Sequence, residues 1–453
     1  MFITLRICGI RPLKVTIFFE EEFLGVYPSL INSISLFSLT DSSTHIISTS
    51  RKSNFPAPPP FSQNVFFHKI LQHADYDRNQ FILEKNAPTT QIRDTGKSNS
   101  WKQFLPESLK VQYRRLRNLW NENRDHWDEQ KKWIFDKLRY YFFCLRKAWS
   151  IKPNVLVSVD ESGLIAASLF RILSFQKPKL VFWSLEIDTG KSRLLFKYLH
   201  QKLFSICARL ADVVVIQEKT RLVTLEAQLK YRFDHAKIFF IPHSPIGNDS
   251  LSLDATGQKS FFQNLFNLSP YDKVVLHAGW VHDAMCVDKF AKASKSWRDE
   301  YKLVLHEREK RCPEENFIRY VSELSEGKAL LSLEPVSFDR MDEVFSSAHV
   351  GLIAYDKKYG GGRENAHKAS GKLGQYLKCG IPVVALDLPG YKEMFEEYKC
   401  GLVFNDFGQI EKCIETILAD YDTYRNESIR CFQEEFDFKK YFNPLLDYLL
   451  ATQ

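Results

Sequence analysis

The sequence predicts two doubly wound α/β domains, each built on a parallel sheet, facing each other across a cleft. Three observations predict this. Short β-branched or aromatic runs alternate with longer amphipathic stretches, which is the pattern of βαβ units. The rhythm stops over 245–270, where Gly, Asn, Ser and Asp gather without periodicity, and then restarts. The chain has 453 residues, enough for two large domains or about three ordinary ones.

In the first half, KVTIFF (14–19) reads as a strand and SLINSISLFSL, after Pro28, as a helix. THIISTS (44–50) and NVFFHKI (64–70) read as strands, with the stiff, Pro-rich NFPAPPP (54–60) between them. Residues 71–100 are polar and turn-rich. NVLVSVD (154–160), helix GLIAASLFRIL, KLVFWSLEI (179–187), a helix over 191–210, DVVVIQE (212–218) and KIFFIPHS (237–244) follow. The amino-terminal domain is therefore placed at 1–247, and 248–270 is the linker.

The second domain, 271–430, repeats the pattern. KVVLHAG (273–279), a helix at 287–299, KLVLHE (302–307), a helix at 313–325 and ALLSLEPV (329–336) come first. A helix at 338–347, VGLIAY (350–355), a helix at 371–379, PVVAL (382–386), a helix at 390–398 and GLVF (401–404) follow. The sequence reads as helical from 408 onward, and 431–453 is a terminal helix placed to cross back to the amino domain. In such sheets ligands sit outside the carboxyl ends of the strands.

Composition narrows the function classes. Apolar residues at 44% and charged residues at 26% are ordinary for globular chains. Aromatics at 14% argue against wholesale disorder. The net charge of +7 allows an anionic surface as partner without choosing one. No run reaches about 18 apolar residues, so no transmembrane helix is expected. The opening MFITLRICGIRPLK has the outline of a signal peptide, but Arg6 breaks its apolar run and no cleavage site follows. The expectation is a lead-in to the first strand and a cytoplasmic protein. Nine scattered cysteines (8, 144, 207, 286, 312, 379, 400, 413 and 431) show neither C-x-x-C nor zinc spacing, as expected of free thiols in a reducing compartment.

Residues 101–150 differ from the rest. They hold five of the eight tryptophans: Trp101, Trp120, Trp127, Trp133 and Trp149. Over 102–147 there are twelve Lys or Arg and six Asp or Glu. YRRLRNLW and KKWIFDKLRYYFFCLRKAW read as amphipathic helices with basic faces and aromatic margins. The plain reading is two helices packed on a sheet with a solvated face; such helices also suit an anionic membrane interface. No recognised module accompanies the charge, so nucleic acid is not expected.

The most informative stretch runs from Gly360 to Asp387. Three glycines, Gly360 to Gly362, permit close approach of backbone to ligand. Ser370 is a good N-cap for a helix starting at Gly371. A helix start offers free N–H groups and a positive dipole end to a phosphate. Lys372 in the first turn opposes that dipole, which favours a ligand-binding reason for it.

The segment SGKLGQYLKCGIPVV (370–384) resembles the donor-site helix of GT-B glycosyltransferases, in particular family 4. LHAG (276–279), DEVFSSAHVGLIAYD (342–356), PGYKEMFEEYKCGLVFND (389–406) and ARLADVVVIQEKTR (208–221) are similar to other elements of that group, in order and spacing. The resemblance covers 14–440 loosely and is specific over 342–406. It implies two Rossmann-like domains and sugar transfer from a nucleotide-sugar donor to a glycan or lipid-linked acceptor hydroxyl, in cell-surface polysaccharide or glycolipid synthesis. It implies no cofactor and no metal. Ser370, Gly371 and Lys372 would hold the donor diphosphate, Gly279 would let it approach, and Glu393 takes the acidic position of the last element. The backbone from Pro335 to Ser337 would face the base.

Departures from the pattern keep other readings open. The family's two glutamates, eight residues apart, fall on His367 and Gln375. A glutamine can still hydrogen-bond a ribose hydroxyl but carries no charge. The family's Arg and Lys after the first carboxy-domain strand are missing from GWVHDAMC, and Arg308 or Lys310 would supply the charge instead. A non-catalytic sugar-nucleotide scaffold and a nucleotide-sugar epimerase are the alternatives. The resemblance places catalytic and acceptor groups on the amino domain, where Asp160, Glu161 and Glu186 follow strands and Gly25 suits approach to a sugar. Each carboxylate is equally read as a solvated loop residue or helix cap, and His243 reads as structural.

Overall fold

A computed structural model describes residues 12–20, 27–40, 42–50, 58–71, 127–187, 195–247, 261–359 and 367–452. Gly25, the Gly360–Gly362 run and the first helix expected in the basic insert lie outside them. The amino half comprises β1 (Lys14–Phe19), α1 (Pro28–Leu39), β2 (Ser43–Ser50), β3 (Val65–Leu71), α2 (Trp127–Ile151), β4 (Val155–Val159), α3 (Asp160–Leu173), β5 (Lys179–Trp183), α4 (Leu195–Ala208), β6 (Val213–Ile216), α5 (Lys219–Leu229) and β7 (Ile238–Phe240). The carboxy half comprises α6 (Phe261–Phe266), β8 (Lys273–Gly279), α7 (Val287–Ser294), β9 (Tyr301–Glu307), α8 (Asn316–Leu324), β10 (Leu330–Ser332), α9 (Met341–Ser346) and β11 (Val350–Ile353). It continues through α10 (Gly371–Lys378), β12 (Val383–Leu386), α11 (Tyr391–Tyr398), β13 (Gly401–Phe404), α12 (Ile410–Ala419), α13 (Tyr421–Cys431) and α14 (Phe438–Ala451).

Both sheets are parallel, with orders β3-β2-β1-β4-β5-β6-β7 and β10-β9-β8-β11-β12-β13. Their strands read as continuous apolar runs because both faces are covered. In β1, Phe18 belongs to one core while Val15, Ile17 and Phe19 belong to the other. The strand order reverses between β1 and β4 and between β8 and β11, the switch points where ligands bind in open sheets.

α14 packs against the amino sheet. Phe438, Phe442, Leu445 and Leu449 are buried in its core. Trp183 stacks with Phe438 and Phe442 at 6.4 and 6.2 Å. Each such side chain contributes about 1.5–3 kcal/mol when fully buried. Asp437 caps α14 by accepting from Lys439 N, and also accepts from Gly247 N at 3.0 Å, so the two chain passages between domains meet at one carboxylate.

Several boundaries differ from expectation. The strand expected over 179–187 stops at Trp183, because Leu185 N and Glu186 N donate to Asp160 Oδ1. Asp160 itself heads α3 with φ 52° instead of ending a strand. The strand at 329–336 shortens to Leu330–Ser332. Part of the expected linker is α6, whose Phe262 is buried in the carboxy-domain core. α5 answers to no expected helix. The second half of the basic insert forms α2, a helix of 25 residues packed on the amino sheet.

Candidate active site

The carboxy wall of the cleft is built around α10. Tyr376 is buried, donates to Leu276 O at 2.6 Å and accepts from Ala278 N at 3.1 Å. This anchors α10 on β8 and sets its first turn beside Gly279. Gly279 has φ +123°, and a Cβ there would lie 3.7 Å from Lys372 Cε and Nζ. A side chain would be strained at that φ and would crowd the approach to the lysine.

Lys372 Nζ is buried and has no hydrogen-bond partner among the described residues. Burial, and then the nearby Arg308 guanidinium, lower its pKa to about 7. Arg308 lies over the Trp280 ring at 5.4 Å, and its amide donates to Gly279 O at 3.2 Å. Glu307 fixes this corner from below: it accepts from Val281 N at 2.9 Å and Arg308 N at 2.8 Å. Burial raises Glu307 to about 7. The amides of Gly371 and Lys372 have no intrahelical carbonyl to donate to. Two cations and a helix start thus converge where β8 ends, an arrangement that binds anions.

The other expected donor residues are placed differently. Ser370 precedes α10 as expected, but its hydroxyl does not cap the helix; it meets the Tyr355 hydroxyl at 2.8 Å. Gln375 Nε2 donates to Asp342 Oδ1 at 2.5 Å, and Lys378 donates to the same carboxylate at 2.8 Å. Glu393 is exposed and accepts from Gly390 N at 3.2 Å, closing the first turn of its own helix.

On the amino wall, Asp160 and Glu186 come together while Glu161 stands apart. Asp160 Oδ1 accepts from Leu185 N at 2.7 Å and Glu186 N at 3.0 Å. Tyr27 donates to Glu186 Oε1 at 3.3 Å. Buried Arg221 donates to Leu185 O at 2.9 Å, and Glu218, Asp160 and Glu186 oppose the lowering that burial imposes on it. Glu161 lies 3.4 Å from His200, which meets Tyr141 at 2.8 Å in the outer helical layer. His243 bonds Ser29 at 2.7 Å, and burial, then Arg221, lower it to about 4, in keeping with a structural role.

The walls meet along α10. His367 Nδ1 lies 2.9 Å from Glu218 Oε2, and His243 N donates to Lys368 O at 2.8 Å. Within the amino half, Asn32 Nδ2 donates to Ser244 O at 3.0 Å and holds the segment that meets α10. A Cβ on Gly374 would come 2.9 Å from Ser244 Cβ, so only glycine lets the segment after β7 lie this close to α10. Arg221, Glu218 and the His367 contact were not foreseen; the only sequence signal was that Glu218 follows a strand, as Asp160 does. Among the described residues no group of three or more His, Cys, Asp or Glu is arranged to hold a metal ion.

The fold has close counterparts among solved structures. Sucrose-phosphate synthase from Thermosynechococcus elongatus superposes with TM-score 0.64 at 10% identity, over 98% of this chain and 100% of that one. Anabaena HepE, solved with UDP and glucose, gives 0.60 at 11% identity over 96% and 99%. The UDP-forming α,α-trehalose-phosphate synthase from Burkholderia vietnamiensis gives 0.60 at 11% over 97% and 100%. The chain has the GT-B fold. No protein-family model matches the sequence, and no curated protein does. In this GT-B chain Asp160 stands after β4 at the switch point of the amino sheet, and Gly279, Tyr355 and Lys372 gather after β8 and β11 at that of the carboxy sheet.

Proposed function

We propose that the chain is a glycosyltransferase moving a sugar from a nucleotide-sugar donor to an acceptor hydroxyl. The observation that carries this is the buried Lys372 Nζ beside Arg308 at the start of α10, without a hydrogen-bond partner among the described residues. A leaving nucleoside diphosphate gains negative charge as the glycosidic bond to the donor sugar breaks. Lys372, Arg308 and the first amides of α10 would stabilise that charge in a site fixed beforehand. Gly279 admits the diphosphate, Ser370 and Gly371 border it, and Gln375 and Glu393 belong to the same donor side. These cations would do the work a divalent ion does elsewhere, so EDTA should leave turnover unchanged.

Across the cleft, Glu186 is the exposed carboxylate that would take the acceptor proton, and Asp160 orders the loop presenting it. The setting we propose is cell-surface polysaccharide or glycolipid synthesis with a hexose donor, on a glycan or lipid-linked acceptor, at the cytoplasmic face of a membrane. HepE was solved with UDP-glucose, so uridine nucleotides lead the search for a donor.

The experiment is a thermal-shift panel with UDP, GDP, ADP, CMP and their sugars. Ligand at ~100 times its dissociation constant stabilises by about 2.7 kcal/mol. One responder supports the donor reading, and silence across the panel from folded protein overturns it. A second reading is a sugar-nucleotide-binding scaffold without turnover. It is favoured by Gln375, which is tied to Asp342 where the family carries a glutamate. Nucleotide binding without hydrolysis or transfer of any donor would select it.

A further inference from the structure

Helix α2 carries two apolar stripes, and the core takes only one. Tyr140, Tyr141, Cys144, Ala148 and Ile151 are buried against the amino sheet. On the opposite side Phe135, Leu138, Phe142 and Trp149 are exposed, with partly buried Leu145 completing a series three and four residues apart. That spacing keeps all five on one face. Phe142 is 69% exposed. The apolar surface continues past the end of the helix. The Trp149 ring meets Phe170 of α3 at 5.8 Å, and α3 ends in exposed Ile172 and Leu173, with Phe175 wholly exposed in the next turn.

Charge on this layer is one-sided. Over 130–152 there are seven Lys or Arg and one acid, Asp136, while Asp128 and Glu129 precede that stretch and Glu161 of α3 lies beside His200 of α4. Lys137 pairs with Glu20 and Arg171 with Asp212. Lys132, Arg139 and Arg146 stand seven residues apart and form a row along one flank of the exposed stripe. α4 adds exposed Tyr198, Leu199 and Ile206 beside Lys202 and Arg209.

We propose that the outer face of α2 docks the protein on an anionic lipid bilayer. The aromatic stripe would enter the headgroup level, and the Lys132–Arg139–Arg146 row would meet lipid phosphates. The charge chooses this occupant. A second copy would bring the same positive layer against itself, and like-charge contact is costly. A nucleic acid would use the cations and leave the aliphatic Leu138, Ile172 and Leu173 wet. The proposal does not rest on the cleft transferring sugar.

The test is flotation of the full chain with vesicles of phosphatidylcholine alone and of phosphatidylcholine with phosphatidylglycerol. The chain should float with the anionic vesicles, far less with the neutral ones, and less again at high salt. Phe135→Ser with Phe142→Ser, and separately Arg139→Glu with Arg146→Glu, should each lower partition on the order of tenfold or more. Their thermal midpoints and nucleotide responses should match those of the parent chain. Should a double variant unfold, Phe142→Ser alone keeps the test open, because that ring is exposed. The proposal is overturned by no flotation with anionic vesicles at low salt, or by variants that float like the parent. A dimer seen by light scattering and lost in the Phe variants would overturn it in favour of a second copy.

Discussion

The two walls of the cleft treat charge in opposite ways. On the carboxy wall the Lys372 ammonium is buried beside Arg308 with no hydrogen-bond partner among the described residues, and burial leaves it poised near neutral pH. On the amino wall the charges are already matched: Asp160 accepts two amides, Glu186 receives Tyr27, and Arg221 sits among three carboxylates. The difference teaches where binding energy comes from. A wall whose buried ammonium lacks a hydrogen bond gains strongly from an anionic ligand, whereas a matched wall keeps its shape and lends position.

Four measurements break or sharpen this contrast. Lys372→Ala should cost roughly 1.5–3 kcal/mol of nucleotide affinity, about 10- to 150-fold by calorimetry. Equal binding by parent and variant would remove the distinction between the walls. Asp160→Ala should leave nucleotide affinity nearly unchanged. It should lower the unfolding free energy by about 1–3 kcal/mol, because two amides lose their acceptor. A transfer assay should show turnover lost as well.

The pH dependence of the carboxy wall comes next, and it differs in sign between ligand affinity and stability. A bound diphosphate keeps Lys372 protonated, while the free protein releases that proton above about 7. Affinity should therefore fall by up to about tenfold per pH unit above that point, and Lys372→Arg should flatten the slope. Stability of the free protein should move the other way. The unfolded chain keeps the lysine proton up to 10.5, so this residue's contribution rises with pH from about 7 to 10.5. The smallest effect is expected from Glu161→Gln. Its contact with His200 is partly exposed and outside the cleft, so stability should change by less than about 1 kcal/mol and nucleotide binding not at all.

The strands were legible because parallel sheets covered on both faces demand apolar runs; KVVLHAG and GLVF match β8 and β13 residue for residue. The start of α10 was legible too, since Ser-Gly-Lys ahead of an apolar stripe is a local signature. What escaped is long-range. The end of β5 is decided by a carboxylate 25 residues earlier in the chain. The hydroxyl of Ser370 looked like a cap, but Tyr355, brought beside it by the fold, takes it. Glu218 and His367 are in contact only because the domains face each other, and no spacing in one chain announces such a pair. Gly279, Arg308 and Lys372 were each expected on the donor side, and the fold brings them to one corner. The role of Glu307 beneath them was not visible, because it acts through backbone amides.

The return of α14 to the amino sheet also sets an order of assembly. Phe438, Phe442, Leu445 and Leu449 cover one face of a domain whose strands are encoded before Ile241. During synthesis α1 covers part of that face, and the part under α14 stays uncovered until the carboxy domain has emerged. Most two-domain chains finish their first domain before starting the second. Here one of the two cores of the amino domain is completed only by α14, and its closure waits on the translation of its neighbour.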